Sequence, residues 1–94
     1  MKVLTSRSAR ADLKSLFEYI ARDSPKNAHA VLARVVDAVD QLAVTHGAMR
    51  KGSLPGTNER VVPRTGCVLI YRVVLDEVLV LRIWRSARGA PRLT

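Results

Sequence analysis

Apolar residues recur along this chain at two spacings. In the first half the spacing is helical. Ala9, Leu13, Leu16, Phe17, Ile20 and Ala21 fall three or four apart and define one apolar face, while Arg10, Lys14, Glu18 and Arg22 point away from it. Lys14 and Glu18 stand four apart, close enough to support each other on the helix surface. Ser6 or Ser8 can cap this helix, because a serine oxygen accepts a free amide of the first turn. Asp23-Ser24-Pro25 breaks the pattern. Proline is tolerated at a first helical position, and Ser24 before it is a good N-cap. A second stripe, Ala28, Val31, Leu32, Val35, Val36, Val39, Leu42 and Ala43, predicts a helix from about Pro25 to His46, with Gly47 as a left-handed C-terminal cap. Two helices joined by so short a break form an antiparallel hairpin.

Outside the helices the spacing is that of strands. Lys2 to Thr5 predicts a short edge strand. Residues 49–58, with Gly52, Pro55 and Gly56, read as a loop. Glu59 to Pro63, Cys67 to Val74, and Glu77 to Trp84 or Arg85 predict three further strands, with Arg64-Thr65-Gly66 as a turn. Cys67 to Val74 is apolar on both faces, as a central strand is. A three-residue loop, Leu75-Asp76-Glu77, pairs Arg72 with Val80 and Ile70 with Arg82. Arg72, Arg82 and Trp84 then share one face, and Leu69, Tyr71, Leu81 and Ile83 share the other, against the helices. A two-residue loop places Arg72 opposite Leu79, which in this reading buries a charge at a cost. The order β-α-α-β-β-β predicts an α+β fold, an antiparallel sheet covered by a two-helix hairpin. Ser86 to Arg92 has no periodicity and reads as a flexible tail, 86–94, on a single domain spanning 1–94. Its removal after Arg85 is expected to leave the thermal midpoint almost unchanged.

Charge adds a direction to this picture. The formal net charge is +8, a field that favours acidic partners such as nucleic acid or an acidic protein segment. From residue 51 onward, Lys51, Arg60, Arg64, Arg72, Arg82, Arg85, Arg88 and Arg92 stand against Glu59, Asp76 and Glu77. Arginine predominates there, and its planar fork suits phosphate or carboxylate. No run approaches a membrane span, no secretory signal precedes the first helix, and Cys67 is the only cysteine, so the expected compartment is the cytoplasm. Cys67 within an apolar strand reads as a buried small hydrophobe, and Tyr71 as a core residue.

Dedicated chemistry is sparse. His29 and His46 have no carboxylate at a metal-ligand spacing, so no metal is expected. Gly52, Gly56 and Gly66 precede no helix and do not form a phosphate cradle. No cofactor is expected.

The string GTNERVVPRTGCVLIYRV, then VLRIWRSARGAP, together with ARADLKSLFEYIA at residues 9–21, resembles the RelE/ParE superfamily of small bacterial toxins, ParE-like members above all. The family pattern runs Gly-Thr-Arg-Glu, a Val-Val pair, a Tyr-Arg-Val strand end, and a last strand leading into His-x-Ala-Arg. This chain has Asn58 for the arginine of the first motif and Arg85 for the histidine. The resemblance implies the toxin of a type II toxin–antitoxin pair, neutralised in a hetero-oligomer by an acidic antitoxin that alone provides contact with operator DNA. For ParE-like members it implies binding to DNA gyrase without catalysis, with Trp84, Arg85, Arg88 and Arg92 as target-binding candidates. Trp and Arg are common interface anchors. Leu13, Phe17, Arg64 and Arg82 are the antitoxin-binding candidates. RelE-like relatives cut messenger RNA on the ribosome, and Arg60, Arg72, Arg82 and Arg85 are the residues that reading would use. That cleavage needs a base and an acid, and arginine keeps its proton at any working pH. A third reading is a nucleic-acid-binding module or a toxin that has lost toxicity.

Overall fold

The computed structural model describes residues 1–45 and 50–93. Its elements are β1 (Lys2–Thr5), α1 (Arg7–Ala21), α2 (Pro25–Thr45), β2 (Arg50–Lys51), β3 (Asn58–Val62), β4 (Cys67–Val74), β5 (Glu77–Arg85) and a turn of 3-10 helix, Ser86–Arg88. Ser6 caps α1, accepting from the Ala9 amide at 3.0 Å, and Ser24 caps α2, accepting from the Asn27 amide at 3.1 Å. The helix end expected at His46 and Gly47 lies outside the described residues.

The expected order holds, with one strand added. β2 lies inside the stretch read as loop and pairs Arg50 with Glu59 and Lys51 with Asn58. Two residues carry no readable alternation. The pairing closes at Gly52, whose amide donates to the Thr57 carbonyl at 2.9 Å. A side chain at Gly52 would meet Thr57 Oγ1 at 2.2 Å, so the close approach requires glycine.

The sheet order is β1-β5-β4-β3-β2. β5, β4, β3 and β2 run antiparallel, and β1 joins the edge parallel to β5. The sheet is therefore mixed. A parallel neighbour requires a crossover, and everything between β1 and β5 supplies it.

The β4–β5 register departs from the expectation near its loop. Val74 faces Glu77 across a two-residue loop, and Arg72 faces Leu79, not Val80. Leu75 has φ 54, the positive value of a primed hairpin turn, which matches strand twist. A bulge between Val80 and Arg82 then restores Ile70 opposite Arg82, as expected. The predicted burial of Arg72 does not follow, because Arg72 and Leu79 lie on the face away from the helices and Arg72 is only partly buried. The bulge also moves Leu81 out of the helix-facing set, where Val78, Val80 and Ile83 remain.

The core forms between the hairpin and one sheet face. Ala9 and Leu16 of α1 and Val31, Val35 and Leu42 of α2 meet Val62, Cys67, Leu69, Tyr71, Val78, Val80 and Ile83. Burying each large aliphatic side chain stabilises the fold by about 1.5–3 kcal/mol. The opposite sheet face is covered as well: Val68, Ile70 and Trp84 are buried. No helix among the described residues is long and apolar enough to cross a membrane.

Candidate functional site

The site grows from a mismatch in strand length. β1 ends at Thr5, opposite Val80, while β5 continues to Arg85. The outer half of β5 would present unpaired backbone groups, which proteins cover. Here the start of α1 covers them. The Ser6 amide donates to the Val80 carbonyl at 2.9 Å, the Ser6 hydroxyl to the Leu81 carbonyl at 2.8 Å, and the Ile83 amide to Asp12 Oδ2 at 3.0 Å.

Asp12 has a second role. Arg82 donates from Nε to Asp12 Oδ2 and from Nη2 to Asp12 Oδ1, both at 2.7 Å. The pair is bidentate and nearly buried, with side chains 11% and 9% exposed for Arg82 and Asp12. The Asp12 hydrogen bonds push the Arg82 pKa above its ordinary value, against the opposing effect of burial. Arg82 Nη1 donates to the Arg92 carbonyl at 3.0 Å, so one guanidinium joins α1, β5 and the tail.

The tail returns over Trp84. Gly89 adopts φ +86, a conformation glycine tolerates best, and Trp84 Nε1 donates to its carbonyl at 2.9 Å. The guanidinium carbons of Arg82, Arg88 and Arg92 stand 5.0, 4.3 and 5.4 Å from the Trp84 ring centroid, within cation–π range. The indole is only 2% exposed. Trp84 thus supports the arginines and presents almost no surface itself. Arg88 and Arg92 are exposed, and no ion pair among the described residues involves either. Beside them is a cleft of about 180 Å³ lined in part by Arg50, Glu59, Ile70 and Pro91. In it Glu59 pairs with Arg50 at 3.2 Å and accepts from the Ser53 amide at 3.1 Å.

The arginines grouped in sequence separate in space. Arg85 follows Ile83 on the helix-facing side and lies over the exposed Tyr19 ring at 4.6 Å, across the sheet from Arg88 and Arg92. Arg60 donates to Thr45 Oγ1 at 2.6 Å and to the Thr45 carbonyl, a cation placed at the C-terminus of α2 where the helix dipole favours it. Arg72 Nε donates to the Gly56 carbonyl at 3.2 Å. Arg64 is exposed in the β3–β4 turn with φ 62. Leu13 and Phe17 share the α1 face against α2. Leu13 also fronts an apolar groove of about 170 Å³ with Ala9, Val36 and Val39, and the Phe17 ring meets His29 edge-on at 5.1 Å.

Burial pushes the Cys67 thiol above its ordinary value, opposed by the Thr65 hydrogen bond, and pushes Tyr71 up likewise, opposed by Arg60. Neither is poised to react. No group of three His, Cys, Asp or Glu among the described residues is placed to hold a metal. Sequence reasoning passed over Asp12 and Tyr19, and counted Glu59 only as a charge. Asp12 left one trace: it lies four residues before Leu16, on the edge of the apolar stripe, where a carboxylate needs a buried partner.

Over residues 3–89 the sequence matches the family model described as the ParE toxin of the type II toxin–antitoxin system, parDE. Among solved structures, the fold is similar to a chain of the chromosomal ParDE toxin–antitoxin system from P. aeruginosa, with a TM-score of 0.82 and 26% identity over 90% of this chain and 95% of that one. A search of curated proteins gave no match.

Proposed function

The chain belongs to the ParE toxin family of type II toxin–antitoxin systems, within the RelE/ParE superfamily, and from that premise we propose that it arrests growth by binding DNA gyrase, without catalysis. The observation that carries this reading is the dispersal of the arginines that RNA cleavage would use. Attack by a ribose hydroxyl needs a base, an acid and phosphate-binding cations at one point. Arg60, Arg72, Arg82 and Arg85 instead engage Thr45, Gly56, Asp12 and Tyr19 respectively. The charge of Arg82 is neutralised where it stands. A binding toxin needs only exposed contact groups, and Arg88 and Arg92 are held outward on a rigid indole.

A ParD-type antitoxin is the expected partner, as in the ParDE system to which the fold is similar. An acidic segment meeting a chain of net charge +8 associates fast. The groove at Leu13, Val36 and Val39 offers apolar anchors, which carry more affinity than rim charges. In this reading operator DNA is reached only through the antitoxin. The test is paired: plasmid supercoiling by gyrase, and primer extension on translated message, each with purified toxin. Inhibited supercoiling with uncut message is the expected result. Discrete cuts within A-site codons, with normal supercoiling, would establish the nuclease instead.

A further inference from the structure

We infer that Arg88 and Arg92, held on Trp84, form a contact site for the phosphodiester backbone of DNA, so that the toxin touches the DNA on which its target works. The inference deepens the gyrase reading and rests on it for its cellular setting, while the contact itself needs no gyrase.

Three observations carry it. First, the cluster has more cation than it can use internally. Arg82, Arg88 and Arg92 all approach one indole within 5.4 Å, and among the described residues the one carboxylate hydrogen-bonded to any of them, Asp12, takes both its guanidinium bonds from Arg82. Second, the two remaining guanidiniums are exposed yet ordered, each by its ring contact, and Arg92 also by the Arg82 bond to its backbone carbonyl. Ordering beforehand reduces the entropy lost when a ligand binds. Third, the surface presents charge above its aromatic ring, with apolar side chains standing to one side, at Ile70 and Pro91 in the neighbouring cleft and at Leu93 after Arg92. Trp84 is buried beneath the arginines, whereas the centre of a protein interface is built on buried aromatic or aliphatic side chains. A nucleic-acid backbone asks for no such anchor, since planar donors and positive charge suffice. With the indole covered, bases have no ring to stack on, so the contact is independent of sequence. An acidic protein segment is the competing ligand.

The experiment measures Kd for a labelled duplex of arbitrary sequence, by fluorescence anisotropy, across a salt series with the whole purified toxin. Two neutralised phosphates contribute about 1.8 to the slope of log affinity against log salt. The Arg88→Gln/Arg92→Gln variant should therefore lose about that much slope. Its affinity deficit should shrink about 12-fold between 50 and 200 mM salt, which is the same slope applied over that range. The control, Lys14→Ala/Lys26→Ala, removes two charges from the helical layer and should change the slope by less than half as much. Arg88→Lys/Arg92→Lys keeps both charges and should keep most of the slope, which separates phosphate contact from a folding defect. An unchanged slope in the glutamine variant, or loss equal to that of the control, overturns the inference. So does a variant that loses binding to polyglutamate but not to DNA. Supercoiling inhibition measured alongside keeps the two claims apart. A toxin that blocks gyrase with an unaltered slope refutes only the phosphate contact. One that leaves gyrase untouched but shows the slope change refutes only the gyrase reading.

Discussion

Replacing Asp12 with alanine should unfold much of what makes this site. The carboxylate receives three hydrogen bonds, two from Arg82 at 2.7 Å each and one from the Ile83 amide at 3.0 Å. With the Arg82 side chain only 11% exposed, Asp12→Ala leaves a guanidinium nearly buried without its counter-charge. Breaking such a pair from one side costs about 3–5 kcal/mol. The orphaned Ile83 amide would cost about 1–3 kcal/mol if fully dry, but water admitted by the missing carboxylate relieves part of both, so the terms do not add and about 3–5 kcal/mol stands. For 94 residues total stability is of the order of 5–14 kcal/mol. The variant therefore loses a large share of it, and at about 4 °C per kcal/mol its Tm falls by more than ~12 °C. Urea unfolding followed by circular dichroism measures this directly, with the midpoint shifting at constant slope. A companion variant, Asp12→Ala/Arg82→Met, removes both charges and should be more stable than Asp12→Ala alone. A loss below about 1 kcal/mol, the worth of an exposed ion pair, would refute the reasoning, as would a double variant no better than the single.

Two further outcomes are expected. Ending the chain after Arg85 removes the Gly89 acceptor of Trp84 and both stacked arginines, so the stability loss should be about 1–3 kcal/mol, with a red shift in the emission of the chain's single tryptophan. A blue emission and unchanged Tm would favour the sequence-based expectation of a tail that adds nothing to stability. On the alkaline side, Cys67 and Tyr71 hold their protons in the folded state beyond their ordinary values of 9.0 and 10.0. The unfolded chain then binds fewer protons, so stability should fall as pH rises through about 9 and continue falling past 10. Urea midpoints between pH 8 and 10.5 test this, and a flat profile would contradict it.

Local order was legible in the sequence because its causes are local. The helical stripes from Ala9 and from Ala28, the serine caps and the Asp23-Ser24-Pro25 break each act within a few residues, and each appears in the fold. Short apolar runs bounded by turn residues gave β3, β4 and β5, and Arg72, Arg82 and Trp84 do share one face, though by a bulge and not by the three-residue loop expected. Resemblance in the GTNERVV and IWRSARGAP stretches supplied the family. Tertiary structure alone decided the rest. The bulge after Val80 let a two-residue turn coexist with Ile70 opposite Arg82, because strand twist and turn geometry are settled by the whole hairpin. Asp12 and Arg82 meet across 70 positions, and no local spacing records a carboxylate that both closes a strand edge and neutralises a guanidinium. Neighbouring arginines were sent to opposite faces for an equally simple reason: alternation along β5 turns Trp84 outward and Arg85 inward. The tail's course likewise follows from an acceptor, the Gly89 carbonyl, that a buried indole N–H requires and that periodicity does not reveal.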